Sequence, residues 1–114
     1  MLRVHKRMQK VATMKDYCLH RLLVAGPARD LKAFDRDADL TDIPGATDHA
    51  LLEHSPTRRA WQFVTDAPAL QYVRVISRRW RNLTFLLHYD CEDRRLVGLV
   101  RARNGRLRQH RFTY

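Results

Sequence analysis

Residues 83–114 run LTFLLHYDCEDRRLVGLVRARNGRLRQHRFTY, and their pattern decides what kind of fold this chain can adopt. From Leu83 to Asp90 the side chains alternate, with Leu83, Phe85, Leu87 and Tyr89 on one face and Thr84, Leu86 and His88 on the other. A period of two belongs to a strand, because successive side chains of an extended chain point to opposite faces. Leu96–Arg103 and Arg106–Tyr114 read as two more strands flanking Asn104-Gly105. That dipeptide is the strongest short hairpin signal, since both central positions of a type I′ turn need positive φ. A two-residue turn fixes the register. Arg103 then opposes Arg106, Ala102 opposes Leu107, Arg101 Arg108, Val100 Gln109, Leu99 His110, Val97 Phe112 and Arg95 Tyr114. One face of the ribbon carries Arg95, Arg101, Arg103, Arg106, Arg108, Val97, Leu99, His110, Phe112 and Tyr114. The other carries Leu96, Val100, Ala102 and Leu107, the core side, with Arg111 opposite Gly98 as a misfit.

Upstream, Tyr17–Ala25 reads as a strand with Leu22 and Val24 on one face and Leu23 on the other, and Arg59–Thr65 as a strand with Trp61 and Phe63 sharing a face. A helix follows each. Gly26-Pro27 ends the first strand, and proline suits a first helical turn; the helix runs to about Ala38 on the stripe Leu31, Phe34, Ala38. Asp66-Ala67-Pro68 joins a capping-type residue to a first-turn proline. That helix continues to Trp80, with Leu70, Val73, Ile76 or Ser77, and Trp80 facing the core. Residues 39–57, DLTDIPGATDHALLEHSPT, hold two prolines, a glycine and scattered acids, and read as a loop with a short helical turn around Ala50–Glu53. The predicted order is β-α-β-α-β-β-β over a single domain at 16–114: an α+β fold with a mainly antiparallel sheet and two helices on one face, the other face open. Residues 1–15 have no apolar period and read as a flexible basic arm, and Met14, just before the first strand, is a candidate natural start.

The 114 residues are 45% hydrophobic and 30% charged, the balance of a globular chain with one core. The longest apolar run, Leu22–Gly26, falls far short of the ~18 residues of a membrane span. The basic N-terminus has no apolar stretch behind it, unlike a secretory signal. Cys18 and Cys91 fit neither a metal knuckle nor a disulfide framework, so buried free thiols in a reducing, cytoplasmic setting are expected. The net charge is +10, from 22 Lys and Arg against 12 Asp and Glu. Its distribution is uneven: residues 30–53 hold seven of the acids, whereas 94–114 hold seven arginines and no acid. Charge kept for solubility alone would mix its signs, so this asymmetry points to an anionic partner.

Two stretches resemble a known family. His20-Arg21-Leu22-Leu23-Val24-Ala25-Gly26-Pro27 followed by Asp30-Leu31-Lys32-Ala33-Phe34 resembles the first strand and "LxxF" helix of the YubB-like ferredoxin-like domain family. Trp61-Gln62-Phe63-Val64-Thr65 through Leu83-Thr84-Phe85 resembles its second strand–helix–strand half. The resemblance implies a ferredoxin-like sandwich and an origin on plasmids or phages, and brings no catalytic residues. The chain departs from the pattern in a more basic C-terminal hairpin and in a region before Trp61 that looks shortened by about a strand.

Signatures of catalysis are sparse: there is no Gly-rich phosphate loop, nucleophile elbow or two-His zinc helix. Asp35, Asp37 and Asp39 have EF-hand spacing, but Leu40 stands where glycine is needed and Ala46 where a bidentate glutamate is needed, which excludes a calcium loop. His49 and His54 lie in the 39–57 segment without a neighbouring cysteine, and neither metal nor cofactor is expected. His20, His88 and His110 fall in predicted strands, which keeps a metal-independent ribonuclease as a weaker alternative to a non-catalytic role. The hairpin is the informative element. Directly opposed Arg–Arg pairs each cost from a few tenths to ~1 kcal/mol, and folding does not ask for them. Arginines blunting an exposed sheet edge are the structural alternative. Guanidinium forks for phosphate beside rings for base stacking are what a nucleic-acid surface uses. The expected partner is nucleic acid, met by Arg95, Arg101, Arg103, Arg106, Arg108, His110, Phe112 and Tyr114. The alternative is a mobile-element protein of the anti-defence type that sets these arginines against an acidic host protein or ribonucleoprotein and inhibits it.

Overall fold

The computed structural model describes residues 17–38, 40 and 43–114; the expected arm at 1–15, Met14, Asp39 and Asp42 lie outside them. The alternating segments form the predicted strands. β1 spans Cys18–Ala25, β3 Arg58–Thr65, β4 Thr84–Cys91, β5 Leu96–Arg103 and β6 Arg106–Thr113. The two apolar stripes form α1 (Ala28–Asp37) and α2 (Leu70–Arg79). α1 buries Leu31 and Phe34, and α2 buries Val73, Ile76 and Ser77, so both Ile76 and Ser77 face inward. A single 3-10 turn, Glu92–Arg94, links β4 to β5.

One element was not expected. β2 occupies Thr47–His54, inside the segment read as a loop, and the helical turn at Ala50–Glu53 is not formed. Every β2 residue but Glu53 is exposed, so the segment carries no buried alternation that could mark it as a strand. Its register against β3 shifts twice, between Thr47 and Ala50 and between Leu51 and Glu53, and Asp48 has φ 56°. What makes it a strand is the turn into β3, where Ser55 N–H donates to Arg58 O at 2.9 Å and Arg58 N–H to Ser55 Oγ at 3.1 Å. The region before Trp61 is therefore not short of a strand, which corrects that departure from the family pattern.

The sheet is six-stranded, in the order β2-β3-β1-β4-β5-β6, and every pair is antiparallel. This α+β arrangement is compatible with a ferredoxin-like sandwich extended by a hairpin. Leu22, Val24, Phe63, Phe85, Leu87, Tyr89, Val100 and Ala102 point to one side and form a continuous core with Leu31, Phe34, Val73 and Ile76. The Phe34 ring sits at its centre, 5.9 Å from Trp61, 5.5 Å from Trp80 and 5.8 Å from Phe85. Fully burying each such side chain stabilises the fold by about 1.5–3 kcal/mol. Both helices thus lie on one face, and the other face is left uncovered by any described element.

Cys18 and Cys91 are directly opposed on β1 and β4 and joined as a disulfide, which corrects the expectation of free thiols. The antiparallel register that pairs Leu19 with Asp90 brings the two sulfurs together, a proximity invisible in a sequence separation of 73. Among the described residues, no helix is long and apolar enough to cross a membrane.

Candidate nucleic-acid interface

The hairpin pairs in the register its turn predicts, from Arg103 opposite Arg106 and Arg101 opposite Arg108 to Leu99 opposite His110 and Val97 opposite Phe112. Asn104 and Gly105 have φ of 50° and 78°, the positive values a type I′ turn requires. Arg101, Arg103, Arg106 and Arg108 all project from the open face, where with Asn104 they line a shallow concavity of about 400 Å³. Among the described residues none of the four meets a carboxylate. The cations that do are Arg36, His54, Arg58 and Arg59, against Asp37, Asp35, Glu53 and Asp35. Arg103 instead donates from Nη1 to Thr84 Oγ1 at 2.8 Å.

Edge protection does not account for this cluster. β6 is an edge strand, so charges at Arg106 and Arg108 would serve that purpose. Arg101 and Arg103 sit on β5, an interior strand hydrogen-bonded on both sides, where protection is not needed and a like charge stands directly opposite. The arginines of α2 differ in the same respect. Arg78 and Arg79 occupy its last turn, where the helix dipole favours cations.

The register carries the face across β4 and β1. Arg108, Arg101, Leu86, Leu23 and Ala60 form one row; His110, Leu99, His88, Arg21 and Gln62 the next; Phe112, Val97, Asp90, Leu19 and Val64 the third. A second concavity, of about 580 Å³, lies over the middle of these rows, and its walls include Arg21, Leu23, Glu53, Leu86, His88 and Leu99, with Glu53 held by Arg58 at 3.1 Å. Arg21, His88 and the leucines escaped the sequence reading because nothing local reveals that β1 and β4 lie beside β5.

The remaining predicted residues divide. His110 and Phe112 are exposed on the same face as the four arginines, with Phe112 at 62% of its surface. Arg95 is not brought together with them. It stands at the far end of β5 in a left-handed conformation, φ 49°, and its carbonyl accepts from Tyr114 N–H at 2.9 Å. Tyr114 is exposed but engaged: its hydroxyl donates to Asp90 Oδ1 at 3.0 Å, and that bond raises the phenol above its ordinary pKa.

The three histidines are not one cluster. His20 is fully buried on the helix side, stacked on Phe63 at 4.8 Å. Its Nε2 accepts the Ala69 N–H at 3.0 Å and its Nδ1–H donates to Cys18 O at 3.2 Å. Desolvation by burial is the largest effect on its pKa, lowering it to about 4 against the opposing backbone bond, with His88 adding a smaller push down. His88 and His110 stand on the open face with Leu99 between them. His49 Nε2 meets Leu40 O at 3.1 Å, while His54 lies 3.7 Å from Asp35. Asp35 is also gripped by Arg59, at 2.8 Å. Among the described residues, no group of three or more His, Cys, Asp or Glu is placed to hold a metal ion.

What the arrangement can do follows from its chemistry: four guanidinium groups without a carboxylate partner among the described residues offer donors for several phosphate oxygens at once, and the exposed Phe112 ring farther along the same face offers a stacking surface. No protein-family model, curated protein or solved structure matches this chain.

Proposed function

We propose that this protein is a non-catalytic nucleic-acid-binding module on a ferredoxin-like sandwich, and that Arg101, Arg103, Arg106 and Arg108 are its phosphate contacts. One observation carries the proposal: two directly opposed Arg–Arg pairs, half of them on an interior strand, with no carboxylate partner among the described residues. The pairing disfavours the folded state and is relieved when phosphates occupy the cluster. The position of His20 in the core, hydrogen-bonded through both ring nitrogens, removes one of the three strand histidines from this face. An origin on a plasmid or phage, as the YubB-like resemblance implies, belongs to the same proposal. A cytoplasmic location does too, with the condition that Cys18 and Cys91 would be held reduced there.

Affinity measured against salt tests it. Four phosphate contacts give a slope of log affinity on log salt of about −3.6 for a duplex and about −2.8 for a single strand. Changing all four arginines to Ala flattens the slope by that amount, while stability holds or rises as the like-charge pairs disappear. An equal loss on changing Arg74, Arg78, Arg79 and Arg81 instead moves the site to α2. No affinity at low salt sinks the proposal and leaves an acidic host protein or ribonucleoprotein as the partner.

A further inference from the structure

We infer that the polynucleotide is single-stranded, with phosphates on the four arginines and bases on Phe112, His110 and the apolar groove beyond; the inference rests on the nucleic-acid reading above. A duplex exposes phosphate ridges and presents base edges only inside its grooves, and the major groove, about 12 Å wide, admits a helix or a free two-stranded ribbon. This ribbon is not free. β5 is paired with β4 over all but its last residue, from Phe85 opposite Ala102 to Cys91 opposite Leu96. The tip is anchored to α2, where Gly105 N–H donates to Ser77 Oγ at 3.0 Å and the Arg78 side chain lies against Gly105. The whole sheet, five gaps of ~4.8 Å between strands, is about twice as wide as the groove. A duplex would therefore touch the arginines alone.

That would leave Phe112 and Leu99 in water, at 62% and 50% of their surface. A single strand covers them. Along the ribbon the same-face rows are spaced by about 6.7 Å, two residues of rise. Two rows of arginine come first, then Leu99 with His110, then Val97 with Phe112. Ionic and apolar halves lie edge to edge, which suits a chain with phosphates along one side and unpaired bases along the other. Leu99 also walls the 580 Å³ groove toward Leu86 and Leu23, so the apolar surface continues across the sheet and not only along it. Packing of this kind grips the faces of bases without reading their edges, so weak sequence preference is expected.

Fluorescence anisotropy on the full chain, with oligo-dT, oligo-U and a duplex of equal length at one salt concentration, tests the inference. Both single strands should bind at least about tenfold tighter than the duplex. Phe112→Ala should weaken single-strand binding by about five- to one-hundred-fold, with the salt slope and the duplex affinity unchanged, because stacking is not ionic. Leu99→Ala, at a second exposed position, should act in the same direction. A preference between dT and U tells whether DNA or RNA supplies the strand, and either bears the inference out. A duplex bound as tightly as the single strands, or no effect from both substitutions, overturns it while leaving the arginine site standing. Failure of every polynucleotide to bind overturns both.

Discussion

Gly98 looks like a gap in β5, yet its missing side chain is what completes the core. A Cβ there would lie 2.0 Å from Tyr89 Cζ, because the Tyr89 ring crosses β5 at this point and its hydroxyl donates to Gln109 on β6 at 3.1 Å. The ring thereby ties three strands together, and Arg111 is left at an exposed position the helices do not cover. Gly98→Ala forces a ring and a methyl group into one space and should cost about 1–3 kcal/mol, read as a lower urea midpoint; an unchanged midpoint would refute this packing. His20 supplies a second prediction. The folded value of about 4 lies below the ordinary 6.5, so the unfolded chain binds the proton more readily. The stability conferred by the neutral ring is fully present above about pH 6.5 and is lost as pH falls toward 4, amounting to roughly 3 kcal/mol. Protonation at Nε2 also removes the acceptor for Ala69 N–H. Melting curves should fall over that window in the native protein and fall less in His20→Gln.

Among the elements, β1 and β4 bear the most constraint. They are paired with each other near the middle of the sheet and joined by Cys18–Cys91. Closing a loop across a separation of 73 residues restricts the unfolded chain by about 4 kcal/mol in the chain-entropy account. Reduction, or Cys18→Ser with Cys91→Ser, should lower stability by up to that amount and leave the circular dichroism spectrum of the folded state intact, since the core is continuous without the bond. Collapse of the fold on reduction would show that the core alone does not hold the sheet. α2 illustrates how elements share work: Ala69, at its N-cap, has no side-chain cap of its own, and its N–H is accepted by His20 of β1, not by the Asp66 side chain that local sequence suggested. β2 is nearly all exposed, and its register against β3 shifts twice.

Across the whole molecule, strand order turns an uneven sequence into an uneven field. The acid-rich segment 30–53 ends in β2 and the acid-free segment 94–114 ends in β6, which are opposite edges of the sheet. Their separation, five strand spacings of ~4.8 Å, exceeds the ~8–10 Å over which salt screens exposed charge. A polyanion approaching the basic edge would therefore meet little opposition from the acidic one. The salt slope expected for the arginine cluster should thus appear in association rates as well as in equilibrium affinity.

Alternation in 83–90, the Asn104-Gly105 turn and the helical stripes Leu31–Phe34 and Val73–Ile76 determined the sheet face, the hairpin register and the helices by sequence alone. The reason is locality: strand period, turn φ and helix period are each set within a few residues. The four-arginine cluster was legible for the same reason, because a two-residue turn dictates which side chains oppose. Tertiary structure alone decided the rest. β2 became a strand through its turn and its pairing with β3, Cys18 met Cys91 through the β1–β4 register, and Arg21, His88 and Leu86 joined the open face beside the arginines because β4 lies between β1 and β5. Each depends on pairing between residues far apart in the chain, where energy comes from burial and register and leaves no mark on the neighbouring letters.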